Sequence, residues 1–554
     1  MTKKLFILSL FCLLSKIGFS QKVNVKDVST FPKEKIFAAV NKNIFVSGEQ
    51  ILYKIFCFKN QKYNLSTLSK VGYIELINNN NQSVLIQKIN LNKGEGSGNF
   101  FINTSLKTGG YKLIAYTQWM KNENDVFEED VFIINPFANK LQQEDSLHKN
   151  IIIASDNKKA SILKIKTNKN DYATREKVTV QYNQNLIKTV SVSVQKANNF
   201  NFIPKKRITS IFNNYQNKTS FKPNNHLPEL RGELFTGTIS TSKNKNLENI
   251  AIGVSFIGQN KISKIIKTNK KGKFFFTINQ SYSADQVILE VLNEKGYKIT
   301  LDNQTKSQKS FSNFKELYLT EPLRNYIKTQ NKNIQIENAF AEAKKTEMAS
   351  AKINTFVFEN NTTKEHYLLD DYTRFKTIKE VAVEILQNVW ISEKEDTYAF
   401  HVRDANLITN TNLKTLLIVD GYILNNHTKF MDFDALEIAS IDVVREKYKY
   451  GAITYQGILN IVTKEKNYSP YTSSSFKLLK PLPSKKWFKP DYEKNSNHRI
   501  PDLRTQLYWD THKKNESNLF SFYTSDIPGK YTITFQGILN DGTPVFEETS
   551  FTVQ

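Results

Sequence analysis

The chain has 554 residues, a formal net charge of +24, and a hydrophobic fraction of 39%. That length fits roughly four domains, and the apolar content is ample for several cores. Lysine is spread along the whole chain rather than gathered in one tract, which argues against a nucleic-acid-binding stripe. It fits a solvated basic surface, suited to anionic lipid or polysaccharide.

The first 20 residues read as a secretory signal peptide. Lys3 and Lys4 give the positive start, Leu5 to Leu14 the apolar centre, and Gly18-Phe19-Ser20 the small residues before a cut at Gln21. The apolar run is too short for a permanent anchor. Cys12 lies inside it and no cysteine directly follows the cut, so no lipid anchor of the bacterial lipoprotein kind is expected. No later segment is long and apolar enough for a transmembrane helix. The expected location is exported, in the periplasm or associated with the outer membrane. After cleavage only Cys57 remains, in a strand-like run, which predicts a buried small hydrophobe and no disulfide framework.

Residues 21–136 predict a β-sandwich, with short apolar runs separated by Gly, Asn and Ser. Val46-Ser47-Gly48-Glu49, Gly98-Asn99-Phe100 and Gly110 to Met120 resemble the second macroglobulin domain of bacterial alpha-2-macroglobulin-like proteins. Ser47-Gly48-Glu49-Gln50 is similar to the thioester motif of complement-type macroglobulins, but serine lacks the sulfur that the thioester requires. A turn leading into a strand is expected there. Residues 137–160 are polar and of mixed charge, a linker. Residues 161–230 predict a second sandwich, with Asn198 to Asn225 as a long loop. Residues 231–302 predict a third β unit. Its Thr268-Asn269-Lys270-Lys271-Gly272-Lys273-Phe274 hairpin resembles carboxypeptidase regulatory-like domains, which are non-catalytic; Asn269 stands where aspartate is usual.

Residues 303–365 read as a helical connector, with Ile336, Ala339, Phe340 and Ala343 on one face. Residues 366–466 predict a small α/β domain. Thr377 and Glu380 form a capping box, followed by an apolar stripe from Ile378 to Leu386. Thr415 to Val419, Ser440 to Arg445 and Ile458 to Thr463 are strands, the first of them central and closed by Asp420-Gly421. Val419-Asp420-Gly421, Ile438, Ile441, Val443, Tyr450-Gly451 and Gly457 to Lys464 resemble the plug domain of TonB-dependent outer-membrane receptors. Arg445-Glu446-Lys447 stands where receptors carry a basic residue followed by glycine. Only 90 residues follow Lys464, whereas a receptor barrel needs about 20 strands of roughly 10 residues each. The plug-like domain is therefore barrel-free. Residues 467–502, with Pro481, Pro483 and Pro490, read as a linker, and 503–554 as a C-terminal β domain.

The expected fold class is mainly β and multidomain: tandem β-sandwich modules of macroglobulin or immunoglobulin type plus a small α/β plug-like domain. The combination resembles exported Bacteroidetes proteins that join macroglobulin and plug modules. No catalytic, cofactor-binding or metal-binding residue is assigned, and no cofactor is expected. The seven histidines form no H-x-x-x-H pair, and Asp432 and Asp434 lack the rest of a calcium loop. Asp370-Asp371, read as part of a strand, would face opposite ways. The expectation is a non-catalytic binding or scaffold protein of the Gram-negative envelope. Its partner would be an envelope protein such as an outer-membrane receptor, or a macromolecular ligand. Two alternatives stand beside it. One is an accessory component of TonB-dependent uptake; the other is a protease-binding macroglobulin relative without the thioester.

Overall fold

The computed structural model describes residues 31–137, 161–197, 204–212, 226–302, 309–344, 347–348, 364–405, 413–468, 474–494 and 499–554, apart from short internal gaps. The expected signal peptide, the cut at Gln21, most of the 137–160 linker and of the 198–225 loop, and His148, His498 and His512 lie outside the described residues. The fold is mainly β. Two α-helices appear among the described residues, α1 (Glu321–Ala339) and α2 (Ile378–Glu384). Neither is long and apolar enough to cross a membrane.

The first sandwich pairs a three-stranded sheet (Lys35–Val40, Gln50–Phe58, Glu95–Phe101) with a five-stranded one (Ile44–Val46, Phe127–Ile134, Gly109–Tyr116, Val71–Ile77, Ser83–Asn90). Antiparallel sandwich strands usually bury one face only. Strand Gln50–Phe58 is instead buried without a break from Ile51 to Phe58. Lys54 shows why. Its ammonium pairs with Glu95 of the same sheet at 2.9 Å and reaches across to the strand Ile187–Lys196, donating to Thr189 Oγ1 at 2.7 Å and to the Val190 carbonyl at 3.0 Å. The outer face of this sheet is covered by the second sandwich.

That second sandwich is built from two distant pieces of chain. One sheet runs Asp171–Tyr172, Pro544–Val553, Gly529–Leu539, Ile187–Lys196, Gln506–Asp510; the other runs Leu519–Tyr523, Lys177–Gln181, Lys166–Thr167. The expected separate units at 161–230 and 503–554 are therefore corrected to a single sandwich. Its core joins Val178, Val180 and Val194 to Phe520, Phe535 and Phe551. A lone hairpin is marginal in water, and each piece supplies the edge and the face that the other lacks.

The third unit also borrows a strand. Its sheets are Lys273–Ile278, Glu233–Ser240, Lys298–Leu301, and Ile262–Lys267, Ala251–Ile257, Gln286–Val291, Ser475–Lys477. The last strand comes from the expected 467–502 linker, so that stretch is part of the fold. At the hairpin, Asn269 Oδ1 accepts from the Lys271 and Lys273 amides at 2.9 and 3.0 Å, and Gly272 takes a positive φ of 68°. Asparagine thus does the acceptor work that aspartate does elsewhere.

Around residues 364–463 a five-stranded sheet has the order Lys364–Leu368, Ile438–Tyr450, Ile453–Thr463, Leu416–Val419, Tyr422–Ile423. The expected central place of Thr415–Val419 is corrected: Ile453–Thr463 is central, and Leu416–Val419 lies beside it as an inner strand, paired on its other side with Tyr422–Ile423. Asp420 and Gly421 turn the chain with φ of 48° and 80°. The Asp420 carboxylate then accepts from the Thr463 and Tyr468 amides at 3.1 and 3.0 Å. The Ile438–Tyr450 strand runs on through Arg445-Glu446-Lys447 with a shift of register, and the chain reverses at Gly451. Helix α2 carries the full capping box of Thr377 and Glu380.

Helix α1 starts at Thr320, whose side chain caps the Leu323 amide, with Pro322 in the first turn. Its packed face is Leu323, Ile327 and Gln330, not the expected Ile336, Ala339, Phe340 and Ala343. Leu323 and Ile327 sit against Ile44, Phe132 and Ile134 of the first sandwich. The correction follows from the neighbour: the sandwich edge lies under the N-terminal half of the helix.

Candidate functional site

Where α1, the first sandwich and the second sandwich meet, they enclose a cleft of about 530 Å³. Three stretches make most of its walls. The turn from strand Ile44–Val46 into strand Gln50–Phe58 brings Gly48, Glu49 and Gln50. Helix α1 brings Tyr326, Thr329, Gln330, Ile334 and Glu337, and the segment 503–509 runs along the third side.

Glu49 is the polar centre. Its Oε2 accepts from the Val46 amide at 2.8 Å, which closes the turn. Its Oε1 accepts from Gln330 Nε2 at 2.7 Å and pairs with Lys42 Nζ at 2.6 Å. Burial alone would lower the Lys42 ammonium, but Glu49 and the Tyr326 hydroxyl hold it above its ordinary value. Gly48 takes a φ of 97° and packs so closely on Ile334 that a Cβ there would overlap the Ile334 side chain. The motif that resembles a thioester is thus a strand-leading turn, and it also forms a wall of the cleft.

The other charges are held in a similar way. Arg504 grips Asp502 with two bonds of 2.6 Å. Burial would raise the Asp502 carboxyl, but Arg504 keeps it below its usual range. Lys344 pairs with Glu337 at 2.8 Å and donates to the Pro501 carbonyl at 2.6 Å. Lys489 lies 4.6 Å from the centre of the Tyr508 ring. Lys196 differs: it is half-buried, and among the described residues no carboxylate pairs with it. Burial lowers its ammonium. The Tyr326 and Tyr508 hydroxyls are pushed up, chiefly by burial, away from ionisation. Among these described groups, none is a nucleophile set beside a base.

The residues weighed from sequence are scattered. Asp434 caps a short turn through the Leu436 amide at 3.0 Å. Asp370 and Asp371 lie in a 3₁₀ turn, not a strand, and Asp370 faces Arg374 at 3.4 Å. His366 meets Asp442 at 2.6 Å, His401 meets Ser392 at 2.7 Å, and buried His427 accepts from the Phe400 amide at 3.1 Å. No group of three or more metal-ligating side chains comes together among the described residues. Cys57 is fully buried, and burial pushes its thiol well up. Sequence reasoning did not foresee the cleft: it singled out Ser47-Gly48-Glu49-Gln50 only as a turn, and it placed Leu507-Tyr508-Trp509 in a C-terminal β domain without joining the two.

No family model matches this chain, and no curated protein does. Solved structures to which it is similar include Salmonella alpha-2-macroglobulin reacted with methylamine, at 9% identity and a TM-score of 0.16. That match covers 94% of this chain, and the chain spans 23% of the Salmonella protein. Escherichia coli alpha-2-macroglobulin activated by porcine elastase matches at 8% identity and a TM-score of 0.23, over 94% of this chain and 44% of that one. Dimeric latent PorU from Porphyromonas gingivalis matches at 9% identity and a TM-score of 0.15, over 49% of this chain and 33% of its own. Likenesses at these scores carry no argument about fold or function; the sheets themselves carry the fold.

Proposed function

We propose that this chain is an exported, non-catalytic binding or scaffold protein of the Gram-negative envelope, and that it holds a macromolecular partner in the cleft between α1 and the two sandwiches. The observation that supports this is the cleft itself. It is about 530 Å³ in volume, walled mainly by three segments far apart in sequence, and mixes aromatic, amide and charged groups. Uptake through a receptor barrel is the weaker reading. The sheet around residues 364–463 is packed by this chain on both faces, by α2 on one side and by Ile265 and Leu292 on the other. A barrel would reach only its edges.

The test is a photo-crosslinker at Thr329, an exposed α1 position on the cleft wall. Expressed in its own envelope, the protein should form a discrete adduct from Thr329 and none from Lys243, on the third unit. A receptor, a glycan or a protease in that adduct would each define the partner. Equal labelling from both positions, or none from Thr329, would overturn the cleft as the binding site.

A further inference from the structure

We infer that the cleft takes an extended, acidic peptide segment of a partner protein, laid as an added strand beside Gln506–Asp510; this rests on the binding function proposed above. Three observations lead there.

The first is the edge. Among the described residues, strand Gln506–Asp510 ends its five-stranded sheet and pairs as a strand on one side only, with Ile187–Lys196. An edge strand leaves a row of main-chain donors and acceptors without strand partners, and an extended peptide can complete them.

The second is the unbroken lining. Residues 503, 504, 505, 506, 507, 508 and 509 all border the cleft. Residues 503–505 lead into the strand, and past the register shift Tyr508 and Trp509 alternate between faces yet both border the cleft, which places the backbone edge beside it. Leu507 is the extra residue where the register with Ile187–Lys196 shifts. Its carbonyl accepts from Arg504 Nη1 at 3.2 Å, a side chain standing where a neighbouring strand would donate.

The third is charge. The lining carries Lys42, Lys196, Lys344, Lys489 and Arg504 against Glu49 and Glu337. Both carboxylates are already engaged, Glu49 by Lys42 and Gln330, and Glu337 by Lys344 and the Leu503 amide. Lys42, Lys344 and Arg504 are engaged in turn, Arg504 by Asp502; Lys489 stands 3.9 Å from Asp510 at the limit of an ion pair, and among the described residues no carboxylate pairs with Lys196. An incoming acidic side chain fits Lys196, and an incoming basic one has no unengaged carboxylate to meet. An apolar position on such a peptide would meet Ile334.

The experiment uses the full chain and two fluorescent peptides of about eight residues, roughly the reach of the 503–509 edge. One alternates Glu and Val, the other Lys and Val, and binding is read by anisotropy at several salt concentrations. The Glu peptide should bind, more weakly as salt rises, and the Lys peptide should not. K196E should weaken binding by about tenfold or more, the scale of one charged contact. T329W, at an exposed helix position with little risk to folding, should block the cleft and abolish binding. Equal binding of both peptides, or indifference to K196E and T329W, overturns the inference. So does binding of an acidic glycan with no acidic peptide bound. If Thr329 still crosslinks a partner while no acidic peptide binds, this inference alone falls. If neither occurs, the cleft reading falls with it.

Discussion

Leu417 and Ile418 are neighbours on one strand and belong to two different cores. Leu417 packs with Ile378 and Val381 of α2, and Ile418 packs with Ile265 and Leu292 of the third unit. The strand's alternation sends them to opposite faces, and this chain covers both faces. The sheet is therefore a shared wall. A buried aspartate at 418 would therefore strike the boundary with the third unit.

Truncation at the two positions should read out that split. Leu417→Ala and Ile418→Ala should each cost about 2–5 kcal/mol. Hydrogen exchange should quicken in Ile378–Glu384 for the first and in Ile262–Lys267 for the second. Identical exchange maps for the two variants would mean that the wall is not shared in this way.

The two-piece sandwich makes a second prediction. Phe535 is fully buried beside Val178 and Val194 of the earlier piece. Phe535→Ala should cost about 3–5 kcal/mol and should raise exchange in Lys177–Gln181 and Gly529–Leu539 together. A rise confined to the C-terminal strands would show that the pieces do not share a core.

Gly48 makes a third. A side chain there needs a left-handed backbone and space that Ile334 occupies. Gly48→Ala should lower stability by about 1–3 kcal/mol. Ile334→Ala should cost less in the Gly48→Ala background than in the wild type, because the overlap is then removed. Strict additivity in thermal melts would count against this contact.

The last concerns pH. Glu229 is buried, receives the Tyr73 hydroxyl at 3.1 Å and the Leu234 amide at 3.1 Å, and faces Glu233, which pairs with Lys88 at 2.7 Å; Tyr282 donates to Glu233 at 2.7 Å. Its Oε2 has no hydrogen-bond partner. Burial, with Glu233 adding to it, pushes the Glu229 carboxyl up to about 8. The folded state then holds a proton that the unfolded chain releases near the usual carboxylate range, about 4.3. Stability should fall as pH rises from there to about 8. Glu229→Gln removes that proton, so its urea midpoint should change less than that of the wild type between acid and pH 8. Equal slopes in the two proteins would rule the carboxyl out as the source.

Local chemistry was legible in the residues alone. The Thr377 capping box, the Asp420-Gly421 turn, the Gly272 hairpin and the burial of Cys57 each depend on a few consecutive side chains, and each stands in the structure. The mainly β class followed from alternation in the same way. Which strands meet is another matter. Val178 and Phe520 are equally apolar whether they share a sandwich or sit in two, so no local pattern tells the cases apart. The pairing is decided by which edge and which face remain uncovered once every other element has packed. The cleft is of this kind. Glu49, Gln330 and Arg504 are ordinary polar residues in their own segments, and only the tertiary structure, by setting α1 across the joint of two sandwiches, brings them to one cleft.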